Sequence, residues 1–378
     1  MDHKKILIVC HLFYPENTPR AHRATEMAKE FSRQGHEVKV LIPGKSQKHD
    51  AFAWKNNIVI EDLGKLHWKS PVFGTSTLAR FFTRLVSRFL LLAFEYPGIE
   101  LMLKVRKALR HESGHDLLIS VAVPYPIHWG VASVWNRKQA IGKFWIADCG
   151  DPYMGNKTDS FKKLFYFKYV EKWFMRKADY VTIPVESARP AYYKEFHHKI
   201  RVVPQGFRVH AVRPLKVEKK KEGPTFAYAG GFIPRIRDPR PFLEYLSTLP
   251  HDFRFFIFTS KPEWLDGYKE RLGEKIQIRS YIPREQLLRY LAAMDFLVNF
   301  DNNTDSAIPS KLIDYAIAGR PVLNVEKQLD TSVIKQFLVG DYAHAMTPGN
   351  IDPYRIENVC TQFLELVQKQ PVPLEYHS

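Results

Sequence analysis

The chain has 378 residues, 45% hydrophobic and 13% aromatic, which suits two ordinary domain cores and excludes a globally disordered chain. Lysine and arginine number 56 against 40 acidic residues, a formal charge of +16 with a pI near 9.5, so an anionic partner is expected: nucleic acid, a phosphorylated small molecule or an acidic lipid surface. Cys10, Cys149 and Cys360 cannot form a disulfide framework and match no zinc spacing, which favours a reducing, cytoplasmic setting, and no apolar run approaches the ~20 residues of a membrane span.

Lys5 to Cys10 reads as a strand buried on both faces, as in the centre of a parallel sheet. A loop from His11 to Pro19 follows, then a helix from Arg20 to Gln34 ending at Gly35, and a second strand from Glu37 to Ile42. This is a βαβ unit. Val72 to Arg110 reads as helical, aromatic and basic. Strands are expected at Leu117–Val121, Lys143–Asp148, Ala178–Ile183 and Arg201–Val203, with a helix from His128 to Asn136. Composition turns polar from Arg213 to Pro224, which reads as an interdomain linker. A second alternation follows: strands at Thr225–Ala229, Phe253–Thr259, Ile276–Ser280, Phe296–Asn299 and Pro321–Val325, and helices at Pro241–Leu249, Arg284–Met294 and Ser310–Ala318. A last helix is expected from Asp352 to Lys369. Two alternating blocks predict an α/β chain of two doubly wound domains, 1–210 and 211–378. Whether the final helix returns to the first domain is left open.

Three constellations carry candidate chemistry. In Pro309-Ser310-Lys311-Leu312-Ile313-Asp314 a helix begins beside a polar loop. Ser310 is an N-cap candidate, and the free N–H groups behind it suit a phosphate. Asp314, one turn in, is placed to grip ribose hydroxyls; an ordinary amphipathic helix capped by Gly319 has equal weight. Gly230 and Gly231 follow a strand, where the backbone can approach a ligand closely, and Arg235 and Arg237 come next, with forks that suit diphosphate oxygens. In the first half, Asp151 follows a strand end, where it could orient a hydroxyl, act as a base or cap a turn. His128 stands at an expected helix start, as a base or as a capping or packing histidine.

The segment Pro309-Ser310-Lys311-Leu312-Ile313-Asp314-Tyr315-Ala316-Ile317-Ala318-Gly319-Arg320-Pro321-Val322 resembles the nucleotide-binding segment of family 4 of the glycosyltransferases. There a helix terminus meets the nucleotide diphosphate and the acidic residue binds ribose. Asp314 stands where glutamate is usual, and Ser306 falls near the place of the family's other glutamate. The resemblance implies that Gly230, Gly231, Ser310, Lys311, Leu312 and Asp314 bind donor, and that Arg235 or Arg237 clamps the diphosphate without deciding between them. The opening from Ile6 to Leu41 resembles the family's first βαβ unit, which implies that Asn17, Arg20 and Arg23 line the acceptor side. Asp148-Cys149-Gly150-Asp151-Pro152-Tyr153 resembles the "DxRDPW" turn of related bacterial sugar transferases, with Gly150 in place of arginine. The architecture implied is GT-B: two Rossmann-like domains facing across a cleft.

The implied reaction moves a sugar from a nucleotide diphosphate to a saccharide or lipid-linked saccharide, without metal or other cofactor, with retention, in surface-polysaccharide assembly. A nucleotide-sugar epimerase of the same architecture and a basic nucleic-acid-binding protein are the alternatives. No groove-reading helix or base-stacking motif favours the latter. Gly44-Lys45-Ser46 is no P-loop, because Lys39 occupies the required first glycine. Arg80, Arg84 and Arg88 recur along one helical row beside Phe81, Phe82, Leu85 and Phe89, and Lys162-Lys163-Leu164-Phe165 repeats the theme. Contact with an anionic membrane at the inner face is one reading of this pattern, and packing against the domain is the other.

Overall fold

The computed structural model describes residues 2–136, 141–156, 162–209, 213–215, 223–233, 237–280, 282–301 and 310–368. The chain divides into two compact units, Met1–Arg208 with Pro353–Ser378, and Val209–Asp352.

The first unit runs β1 (Lys5–Cys10), α1 (Pro19–Arg33), β2 (Glu37–Ile42), α2 (Gln47–Asn56), β3 (Val59–Asp62), α3 (Thr77–Phe94), α4 (Glu100–Leu109), β4 (His115–Val121), α5 (Pro126–Val134), β5 (Gly142–Asp148), α6 (Phe167–Lys177), β6 (Tyr180–Ile183) and β7 (Ile200–Val202). Its seven strands are parallel, in the order β3-β2-β1-β4-β5-β6-β7. Ile6 faces Val38 on one side and Leu117 on the other. Buried on both faces, β1 reads as the continuous apolar run noted in the sequence.

Thr18 caps α1 by accepting the Ala21 N–H at 3.2 Å, with Pro19 at the first helical position. The helix lays Ala24, Met27, Ala28 and Phe31 on the sheet. A late segment joins the same layer. Ile356, Val359, Cys360, Phe363 and Val367 form one stripe of α12 (Ile356–Gln368) and pack against the α1 side chains. The return is stitched by Phe207, whose N–H donates to Tyr354 and whose carbonyl accepts from Ile356.

The helical stretch expected over 72–110 holds two helices, α3 and α4. Glu95 adopts a left-handed conformation (φ 52°), and Pro97 and Gly98 follow. Proline cannot continue the hydrogen-bond ladder, so α3 stops at Phe94 and α4 begins only at Glu100.

The second unit runs β8 (Thr225–Ala229), α7 (Arg240–Ser247), β9 (Arg254–Phe258), α8 (Tyr268–Leu272), β10 (Ile276–Arg279), α9 (Arg284–Leu291), β11 (Phe296–Phe300), α10 (Ser310–Ala318), β12 (Val322–Val325) and α11 (Thr331–Leu338). Its parallel sheet is ordered β10-β9-β8-β11-β12. The core is aromatic: the Phe226 ring stacks on Phe255 at 4.7 Å and on Phe296 at 4.5 Å.

Strand order reverses between β1 and β4 in one sheet and between β8 and β11 in the other. At such a switch point the loops leaving the two central strands turn to opposite faces, opening a crevice at the carboxyl edge.

Candidate functional site

In the second unit, the loop after β8 begins with Gly230 and Gly231, and the segment after β11 leads into α10. Both expected donor segments therefore flank one switch point. Gly230 has φ 155°, and a Cβ there would stand 2.9 Å from the Tyr228 hydroxyl, so the position needs glycine. Gly231 has open space where its Cβ would be. Its carbonyl accepts from the Tyr228 hydroxyl at 3.0 Å and from Arg237 Nη1 at 3.5 Å. Arg237 closes a tight loop by pairing its backbone with Ile233 in both directions. Its Nε is buried and finds no acceptor among the described residues. Arg235 lies outside the described residues.

Lys311, in the first turn of α10, is 9% exposed. Its Nζ donates to the Phe300 carbonyl at 3.2 Å and lies 5.5 Å from the Tyr228 ring centroid. Burial, with the nearby Arg237 charge, pushes its pKa down to about 7, against the pull of Asp301. Two cations held close in a half-dry site repel each other, and an anion between them would relieve that repulsion. Ser310 opens the helix; its side chain, and the residues just before it, lie outside the described set. Leu312 packs partly buried against the core of this unit.

Asp314 is gripped by Arg284, whose Nε donates to Oδ1 at 2.8 Å and whose Nη2 lies 2.6 Å from the same oxygen. Burial raises the carboxyl pKa, and Arg284 opposes that rise. Tyr315 anchors the helix from below: its hydroxyl accepts the Ala229 N–H at 3.0 Å and donates to the Val298 carbonyl at 2.9 Å. The glycine loop, β11 and α10 are thus fixed to one another by a single buried phenol. Arg284, Tyr228 and Tyr315 were not singled out in the sequence. Arg284 is 30 residues from its partner, and nothing in its own surroundings marks it.

In the first unit the geometry corrects the sequence reading at two residues. Arg23, expected to line the acceptor side, is 2% exposed. Its Nε and Nη2 donate to the two oxygens of Asp148 at 3.1 and 2.7 Å, and it also donates to the carbonyls of Pro204 and Val203. Such a guanidinium holds α1, β5 and the segment after β7 together and has no face to offer an acceptor. Arg20 donates to the Ala122 carbonyl at 3.4 Å and to Asp148 at 3.3 Å, so it bridges the β1–β4 switch point while keeping partial exposure. Asp148 also accepts from Thr182 at 2.7 Å. Burial alone would raise the Asp148 pKa, but Arg23 and Arg20 outweigh it and hold the carboxyl below its usual range.

His128 is the second correction. It lies inside α5, fully buried, with Nδ1 2.8 Å from the Ser120 hydroxyl, Nε2 3.5 Å from the Cys149 thiol, and the Phe174 ring stacked on it at 5.0 Å. Burial pushes its pKa down to about 3. It is a neutral core histidine with no route to a substrate hydroxyl. Asp151 is different: it is exposed just past β5, and its carbonyl accepts the Tyr125 hydroxyl at 2.6 Å. Asn17 is exposed before α1 and pairs with His22 at 2.7 Å.

No protein-family model matches the sequence, and neither does any curated protein. Solved structures do match in fold. A glycosyltransferase from Rickettsia africae is 13% identical with a TM-score of 0.56, covering 99% of this chain and 100% of the other. A lipopolysaccharide outer core galactosyltransferase, WaaB, is 12% identical with a TM-score of 0.54, covering 96% and 99%. A putative UDP-N-acetylglucosamine 2-epimerase from Listeria monocytogenes is 11% identical with a TM-score of 0.50, covering 97% and 96%. The fold is therefore the two-domain GT-B architecture.

Proposed function

We propose that this chain is a glycosyltransferase that takes a sugar from a nucleotide diphosphate donor bound at the β8–β11 switch point. One observation carries the reading: Gly231, Arg237 and Lys311 meet at the edge where the start of α10 also lies. Backbone N–H groups, a helix terminus and two cations are what a diphosphate requires. Asp314 would accept from ribose hydroxyls through Oδ2, since Arg284 occupies Oδ1.

As the bond from the anomeric carbon to the diphosphate breaks, negative charge collects on the leaving phosphate. Arg237 and Lys311 are placed to offset it, with Arg235 as the other candidate, and this requires no metal. The acceptor, a saccharide or lipid-linked saccharide, would lie on the first unit, where Arg20 and Asn17 flank the β1–β4 edge and Asp151 offers an exposed carboxylate to orient or deprotonate its hydroxyl. Retention of configuration, a role in surface-polysaccharide assembly, and a place in the cytoplasm or at the inner membrane face complete the proposal. The galactosyltransferase and epimerase folds both fit this chain, so a free-standing epimerase is the rival, and it would need no acceptor.

A thermal-shift panel of UDP, GDP, ADP and CMP with their sugars, on the native chain and Asp314→Ala, tests the site. At about 100 times its dissociation constant a ligand adds about 2.7 kcal/mol of stability. One responding nucleoside diphosphate, weakened in the variant, supports the reading; no response to any of them ends it.

A further inference from the structure

We propose that α3, with the segment following residue 161, is a docking surface for an anionic phospholipid bilayer. Of the eighteen residues of α3 only Ala93 is buried, whereas α1, in the same unit, buries eight of its fifteen. Much of what α3 exposes is apolar. Leu78 is 67% exposed and Phe81 61%, and Phe82, Leu85 and Phe89 are exposed with them. These positions stand at i, i+3, i+4, i+7 and i+11, so they form one apolar stripe along a helix about 27 Å long. Ala79, Thr83, Val86 and Leu90 are partly covered on the adjoining face, and towards its C-terminal end the helix is partly covered at Ser87, Arg88, Leu91 and Leu92 as well. The stripe is therefore not the side on which the helix rests.

Charge selects the occupant. Arg80 and Arg84, one turn apart, are exposed, Arg88 on the next turn is half-buried, and α3 contains no acidic residue. A row of arginines beside an apolar stripe matches a headgroup layer over acyl chains, where guanidiniums meet phosphate while the rings enter the boundary. A second patch adjoins it. Glu95, which ends α3, is ion-paired to Lys163, and just beyond are Phe165, 73% exposed, and Tyr169, with the Lys168 ammonium 4.8 Å from the Tyr169 ring centroid. Aromatic rings with lysines alongside suit the membrane interface. Among the described residues no helix is long and apolar enough to cross a membrane, so the helix would lie in the surface.

Sedimentation of the full chain with vesicles tests this, using phosphatidylcholine alone and an equimolar mixture with phosphatidylglycerol, at low and high salt. The native chain should pellet with the anionic vesicles at low salt, release at high salt, and ignore phosphatidylcholine. Phe81→Glu/Leu85→Glu should abolish pelleting, and Arg80→Gln/Arg84→Gln should weaken it about thirtyfold, both with native circular dichroism and thermal midpoint. A native chain that stays in solution with anionic vesicles at low salt overturns the proposal, as does a glutamate variant that binds equally. So does a vesicle-free dimer that the glutamate variant dissociates, since a second copy would then cover the stripe. The assay needs no donor or acceptor, so its outcome is independent of the glycosyl-transfer reading.

Discussion

The Arg20 guanidinium lies against the α-carbon of Gly150: a Cβ built there would stand 2.8 Å from Arg20 Cζ and 2.9 Å from its Nε. The turn after β5 therefore takes its positive charge from α1, at the position where the resembling turn carries arginine itself. Gly150→Ala should displace Arg20 from Asp148 and lower stability by about 1–3 kcal/mol, as overpacked sites do. In an Arg20→Ala background the same change should cost much less. Calorimetric midpoints of the four proteins in this cycle measure the coupling; additive costs would show that the two residues do not compete for space.

The pair Arg23–Asp148 should behave as a buried ion pair whose partners cannot be removed singly. Asp148→Asn leaves a guanidinium in the core without its counter-charge and should cost about 3–5 kcal/mol. Because the Asp148 pKa is lowered on folding, its contribution is fully present above the unfolded carboxyl value near 4 and is lost as pH falls below it. Denaturant unfolding followed from pH 7 to pH 3 should show the native chain losing this stability, and the variant a correspondingly smaller loss.

Glu171 has the opposite sign. It is buried in α6, accepting from the Tyr193 hydroxyl at 3.0 Å and the Met154 N–H at 3.4 Å, and burial raises its pKa to about 7. The folded state holds this proton where the unfolded chain has lost it, so stability falls as pH rises from the ordinary glutamate range through about 7. A shift of that size amounts to on the order of 3 kcal/mol. Glu171→Gln should flatten the stability profile between pH 5 and pH 8, measured by urea midpoints. An unchanged profile would show that Glu171 does not carry the dependence.

How much of this was legible in the sequence follows from the range of the forces involved. Periodicity and turn residues are local, so β1, α1, β2, β8 and α10 emerged close to their observed limits. So did the order of the motifs. The break at Glu95–Gly98 is obscured by the aromatic pattern that continues across it, and Pro97 is its one local mark. Short α2 and β3 went unread because Ser46 is paired with a histidine, His49, in its capping box, where glutamate or glutamine is the usual signal. Of the site, Gly230 and Lys311 carried local marks. Arg284 on Asp314, Arg23 on Asp148 and the buried lie of His128 did not, because each depends on a partner brought near only by the sheet. A charged residue in a first helical turn reads the same whether water or a buried carboxylate awaits it.

The most direct test is calorimetric titration of the nucleoside diphosphate selected by the thermal panel into the native chain and Lys311→Met, from pH 6 to pH 9. Lys311, with its pKa near 7, should take up a proton as the diphosphate binds above that pH. Native affinity should therefore fall as pH rises through 7 to 9, with binding heats that depend on the buffer. The variant should bind roughly ten- to a hundredfold more weakly at pH 6, the worth of one charge-assisted contact, and show no such proton uptake. Equal affinity in both proteins with no proton uptake would contradict a donor diphosphate held at Lys311 and Arg237.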